Sequence, residues 1–227
     1  MSELQAIYSH RFEGAIEYRR AVWRALVDDF FSRWTGGARR ILDLGCGYGE
    51  FINAVRCERR YAMDLNPDAR ERLDAGITFI EQDCSRPWPV EDGGLDLVFT
   101  SNFFEHLPDK ATLGRTLDQA RRCLAPGGRL IAMGPNIRCL HGRYWDFWDH
   151  HLALSDLSLA EGLGVHGFDV ERRIARFLPY TMVGAPRFPV LFLRAYLRCP
   201  MAWGVFGRQF LIVARVSSPS KDVRDAP

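Results

Sequence analysis

Leu42-Asp43-Leu44-Gly45-Cys46-Gly47-Tyr48-Gly49-Glu50-Phe51 decides how this chain is read. An apolar run beginning at Arg40 ends in an acid and passes into a turn with glycine at every second position. Glycine tolerates positive φ and has no Cβ, so such a turn lets a ligand approach the backbone. A strand that leads into it opens a ligand crevice at its carboxyl end. A glycine-rich turn with no ligand has the same composition, so the flanking sequence must discriminate.

Outward from that stretch, residues 60–64 (RYAMD) end in an acid before the Asn66-Pro67 turn, and residues 78–81 (TFIE) stop just short of Asp83. Residues 95–101 (LDLVFTS) have the continuous apolar character of a buried strand, and residues 129–133 begin another. Helical periodicity covers residues 15–34, 104–124 and 155–163, the second ending at the Ala125-Pro126-Gly127-Gly128 turn. Strands alternating with helices at this spacing mean βαβ units and a mainly parallel sheet. The rhythm then breaks: residues 168–177 and 209–216 look like two strands separated by an apolar, basic insert at 182–207. Residues 217–227 form a polar tail expected to fray. One domain over residues 1–216 accounts for the whole pattern.

The 227 residues are 47% hydrophobic and 26% charged, which excludes disordered, collagen-like and disulfide-scaffold chains. The net charge of +2 selects no partner, and Lys110 and Lys221 are the only lysines. Six cysteines lack a CxxC pair or zinc spacing and read as reduced thiols. The N-terminal stretch carries charges from its third residue and no apolar signal core, and no apolar run reaches the roughly 20 residues that span a bilayer. A cytoplasmic location is expected.

Asp64 ends its strand 21 residues beyond Asp43, where a carboxylate can accept both hydroxyls of a ribose. A nicotinamide-linked dehydrogenase shares the turn and the acid, but its GxGxxG fingerprint is not met by glycines at 45, 47 and 49. DLGCGYG, MDLNP, EQDC, DLVFTSNFFEHL and LAPGGRLIAMGPN, in that order, resemble the class I S-adenosylmethionine-dependent methyltransferases, densely over residues 40–135. The resemblance implies a single Rossmann-like α/β domain. Its sheet would have seven strands, mainly parallel with a terminal antiparallel strand near residues 209–216, and helices on both faces. It also implies S-adenosyl-L-methionine as cofactor. Asp43 and the backbone at Gly45, Gly47 and Gly49 would hold the amino-acid part, and Asp64 the ribose. Leu65 would lie on the adenine, Asp83 and the Cys84 amide would read its edge, and Asn102 and Phe103 would face the methyl group.

Methyl transfer from a sulfonium is a displacement that needs alignment and exclusion of water; a hydroxyl acceptor also needs its proton removed. The candidates are His106 and the pair His150 and His151, with His150 preferred. No metal site is expected, because Asn102 stands where some similar quinone-biosynthesis O-methyltransferases place an acid three residues before the Glu-His pair. Residues 136–154 read as an aromatic lid in which Arg143, Tyr144, Trp145 and Trp148 face an acceptor; an aromatic cluster that merely anchors a loop is the competing reading. From Arg172 to Arg215 there are eight arginines and no acid, interleaved with aromatics. Such a segment can rest on an anionic membrane at its inner face or grip a phosphorylated acceptor, or it can be a solvated helical insert. The expected reaction is methyl transfer, at oxygen, to a small or lipid-linked, partly apolar acceptor. A tRNA or rRNA methyltransferase and a non-catalytic cofactor-binding scaffold are the alternatives, and a nucleic-acid partner is not expected without an appended RNA-binding domain.

Overall fold

The computed structural model describes residues 16–180 and 187–217. Strand β1 (Arg40–Leu44) is buried on both faces from Ile41 onward, as its apolar run requires, and lies at the centre of a seven-stranded sheet. It pairs in parallel with β2 (Arg59–Asp64) on one side and β4 (Leu95–Ser101) on the other. β3 (Ile77–Glu81) extends the β2 side, and β5 (Leu124–Pro135) extends the β4 side. β7 (Gln209–Val216) enters antiparallel between β5 and β6 (Phe168–Ile174), giving the order β3-β2-β1-β4-β5-β7-β6. The strand order reverses between β1 and β4, which sets the crevice at their carboxyl ends.

Helices cover both faces. α1 (Ile16–Leu26) continues through a π-helical turn, Val27–Phe31, into the single turn Ser32–Thr35. α2 (Glu50–Ala54) follows the glycine turn; α3 (Lys110–Cys123) and α4 (Asp156–Val165) pack on the opposite face. α4 opens with a capping box between Ser155 and Ser158. The chain between the last two strands carries α5 (Val190–Leu197) and α6 (Pro200–Phe206).

Three boundaries differ from the sequence reading, each for a local reason. Residues 104–124 are not one helix. Phe104–His106 form a 3-10 turn, Pro108 biases Leu107 to extended backbone, and α3 starts afresh with Asp109 capping the Thr112 amide at 2.7 Å. The turn at 125–128 lies within β5, because Leu124 pairs with Leu95 across an irregularity that Gly127 accommodates at φ 75°. β6 stops at Ile174, and Phe177 instead donates its amide to the Gln209 carbonyl at 2.7 Å. Residues 1–15, the 182–186 part of the insert and the tail beyond Ser217 lie outside the described residues.

The insert is also more than a solvated appendage. Leu197 and Trp203 are buried, and Phe177 lies between Phe30 of the π turn (ring centroids 4.4 Å apart) and Trp203 of α6 (5.3 Å). The cluster continues through Phe31 to Phe99 of β4, which stacks on Phe51 at 3.7 Å. Arg194 of α5 pairs with Asp29 at 2.8 Å, so an acid from α1's extension answers an arginine that the sequence leaves unopposed. Phe177 is fully buried, so Phe177→Ala should cost about 3–5 kcal/mol in urea-induced unfolding. A loss below about 1 kcal/mol would mean that α6 does not depend on this contact.

Candidate functional site

A cavity of about 1250 Å³ opens at the carboxyl ends of β1, β2 and β4, beyond the roughly 300–1,000 Å³ usual for one small ligand. The glycine turn forms its floor. Gly45 stands at φ 67°, and a Cβ built there would lie 2.2 Å from the Phe103 ring, so the residue after β4 closes directly on the turn after β1. Gly47 also borders the cavity; Gly49 does not, and instead provides the left-handed entry, φ 74°, into α2.

Asp64 joins the ends of β1 and β2. Its Oδ2 accepts the Gly47 amide and its Oδ1 the Asn66 amide, both at 2.8 Å. Burial pushes its carboxyl up and these backbone bonds pull the other way, leaving a net rise. Asp43 is buried beside it and raised well above the usual carboxylate range, first by burial and then by the charge of Glu50. Glu50 pairs with Arg19 of α1 at 2.5 Å. Three carboxylates against one guanidinium make this corner favour a bound cationic group.

Leu65 is exposed beside the cavity. Asp83 and Cys84 border it after β3; the Asp83 Oδ1 accepts both the Ser85 amide and hydroxyl at 2.8 Å, which holds its carboxyl below the ordinary value. Asn102 adopts φ 50°, a strained conformation for a residue with a side chain, at the point where β4 delivers Phe103 into the cavity.

The other end of the cavity gathers Glu105, His106, Trp148, His150 and His151. Glu105 is only 3% exposed, and burial pushes its carboxyl up to about 7 against the opposing pull of His106. His106 and His150 stand edge to face with ring centroids 5.1 Å apart. His150 is buried whereas His151 is exposed and contributes its amide to the Glu105 carbonyl at 2.9 Å.

Part of the expected lid faces elsewhere. Arg143, Tyr144 and Trp145 do not border the cavity. Tyr144 is fully buried, donates its hydroxyl to the Leu152 carbonyl at 2.6 Å and accepts the Leu154 amide, so it anchors the segment. Arg143 and Trp145 are exposed on the 3-10 helix His141–Asp146, away from the cavity. Only residues 147–151 reach the cavity. Sequence reasoning left out Arg19, Trp23, Gln82 and the α5 residues Phe192, Leu193 and Tyr196, which also line it. The apolar spacing of Trp23, Phe192, Leu193 and Tyr196 reads as ordinary helix core, and Arg19 and Gln82 read as ordinary polar positions, so nothing local marks a cavity wall.

This sheet order, with a glycine turn and an acid-lined crevice at its switch point, is the class I S-adenosylmethionine-dependent methyltransferase fold. The profile of a family described as methyltransferase domain matches residues 15–170, and the chain belongs to that family. A methyltransferase of Mycobacterium sp. (strain JLS) is 31% identical over 126 residues, 53% of this chain and 48% of its own. A methyltransferase of Mycobacterium bovis is 30% identical over 151 residues, 64% and 55% of the two chains. The chain thus spans about half the length of the curated relatives it matches. Among solved structures, a SAM-dependent methyltransferase from Archaeoglobus fulgidus superposes with a TM-score of 0.64 at 20% identity, covering 86% of this chain and 94% of that one.

Asp64→Ala would orphan two backbone amides, and should lower the unfolding free energy by roughly 1–3 kcal/mol in a urea titration. Unchanged stability would show that the turn between β1 and β2 stands without its carboxylate.

Proposed function

We propose that this protein transfers a methyl group from S-adenosylmethionine to the hydroxyl of a small or lipid-linked, partly apolar acceptor. The observation that carries the reading is a cavity larger than one ligand needs, acid-lined at the glycine turn and bordered at its mouth by Phe188 and Phe192, both mostly exposed. The cofactor, when bound, supplies a methyl group on a cationic sulfur. Asp43, the Gly45 and Gly47 backbone and the Glu50–Arg19 pair would hold its charged amino-acid part. Gly49 acts one step removed, by setting α2. Asp64 has acceptor capacity left beyond its two amides and would take the ribose hydroxyls. Leu65 would cover the adenine, while Asp83 and the Cys84 amide read its edge. Asn102 and Phe103 would align the methyl group, with Trp148 on the acceptor side.

The acceptor hydroxyl would lose its proton at the end of the cavity where Glu105, His106 and His150 gather, as the new O–CH₃ bond forms. His150→Ala should therefore cut turnover by about 100-fold or more while cofactor affinity by calorimetry stays within about twofold. His151→Ala is the matched control. Equal turnover in the two variants would remove the cluster from the chemistry.

No helix among the described residues is long and apolar enough to cross a membrane. α5 and α6 nevertheless present apolar side chains to solvent beside the cavity mouth: Leu191 is 72% and Met201 85% exposed, and Phe206 and Val205 are similarly open. We place this face on the anionic inner surface of a membrane, with Arg198 near the headgroups. Arg194, Arg173 and Arg215 are answered by Asp29, Asp156 and Glu171, so apolar contact carries more of the attraction than the arginine count suggests. Leu191→Glu with Met201→Glu should abolish co-sedimentation with phosphatidylserine-containing vesicles and leave cofactor affinity intact. Binding by neither wild type nor variant would point to an aqueous acceptor.

A further inference from the structure

Glu105, His106 and His150 each offer a ligand atom, and these atoms all lie within 4.8 Å of one another. Each of the two imidazoles has a backbone carbonyl against its Nδ1. The His106 Nδ1 lies 2.9 Å from the Asp149 carbonyl, and the His150 Nδ1 lies 2.7 Å from the Tyr144 carbonyl. A carbonyl only accepts, so each Nδ1 carries the proton and each Nε2 carries the lone pair. A backbone partner behind the ring fixes the tautomer and orientation of a ligating imidazole. The buried Tyr144 hydroxyl anchors the loop that supplies one of those carbonyls. The Glu105 carbonyl, by accepting the His151 and Leu152 amides at 2.9 and 3.0 Å, clamps the His150 segment against the turn that carries Glu105 and His106. No arginine or lysine among the described residues pairs with the Glu105 carboxylate, and a buried carboxylate without a cation is costly.

We propose that Glu105, His106 and His150 form a two-histidine, one-carboxylate site for a divalent transition-metal cation of the zinc type, open toward the acceptor end of the cavity. Nitrogen ligands exclude magnesium and calcium as preferred occupants. Zinc bonds of about 2.0–2.2 Å would draw the three ligand atoms, now within 4.8 Å, to about 3.4 Å of one another. The expectation of no metal rested on Asn102, but the third ligand comes from the lid, 44 residues beyond His106.

The role of this ion at the acceptor rests on the methyl-transfer reading; its binding does not. An acceptor oxygen held there would lose its proton more readily and pass it to solvent. Its lone pair would form the O–CH₃ bond, and the broken S–CH₃ pair would stay on sulfur. His150 then serves as ligand, and its loss lowers turnover by the same route.

The full chain, stripped of metal with a chelator, should take up one Zn²⁺ per chain by calorimetry and ignore Mg²⁺. Co²⁺ in its place should give the visible bands of a low-coordinate nitrogen and oxygen site. Glu105→Gln, near-isosteric, and His150→Ala should each weaken Zn²⁺ by more than about 10-fold, with folding checked by thermal melting. His166→Ala, whose imidazole pairs with Asp118 at 2.8 Å, should not. No stoichiometric Zn²⁺, or binding indifferent to both ligand variants, overturns the site. If S-adenosylmethionine binds while Zn²⁺ does not, the metal proposal falls and the cofactor reading stands. Zn²⁺ uptake without cofactor binding upholds the metal site and removes the cofactor reading.

Discussion

The Asp64 carboxylate holds the ends of the two central strands in one piece. By accepting Gly47 from the turn after β1 and Asn66 from the turn after β2, it fixes the floor of the cavity. Asp43 is buried beside it, and Glu50, the third carboxylate of this corner, pairs with Arg19. Folding accepts this repulsion because the sheet's apolar core supplies the stabilisation, and a cationic ligand gains from it. The methyl donor carries positive charge on both its sulfur and its amino group, so the corner suits it on electrostatic grounds alone.

The two faces of the sheet divide the labour. On the α3 and α4 side, apolar residues close a conventional core. On the other side an aromatic chain runs from Phe51 and Phe99 through Phe31 and Phe30 to Phe177 and Trp203. It ties α1, which brings Arg19 and Trp23 to the cavity, to α6 and, through it, to α5, whose Phe192, Leu193 and Tyr196 also line the cavity. That wall of the cavity thus rests on the packing of the segment between β6 and β7.

Much of the glycine-turn end of the cavity was legible in the sequence because its residues sit at strand ends. There the period-2 pattern stops, and an acid or glycine stands out against an apolar run. Asp43, Gly45, Gly47, Asp64, Asp83 and Phe103 all border the cavity for that reason. The end that holds Glu105, His106 and His150 was less legible. Which face of residues 141–151 points inward depends on a short 3-10 helix and on the buried Tyr144 hydroxyl, neither of which leaves a periodic trace. The arginine run looked unopposed because its acids, Asp29, Asp156 and Glu171, lie outside it in sequence. The helix expected to run through Pro108 failed on a steric rule that the apolar pattern obscured.

Transfer of labelled methyl from S-adenosylmethionine to cell extracts split into organic and aqueous phases tests the central claim most directly. Enzyme-dependent label should enter the organic phase, attached as an O-methyl group. No transfer to either phase, or label confined to nitrogen in water-borne products, would contradict it.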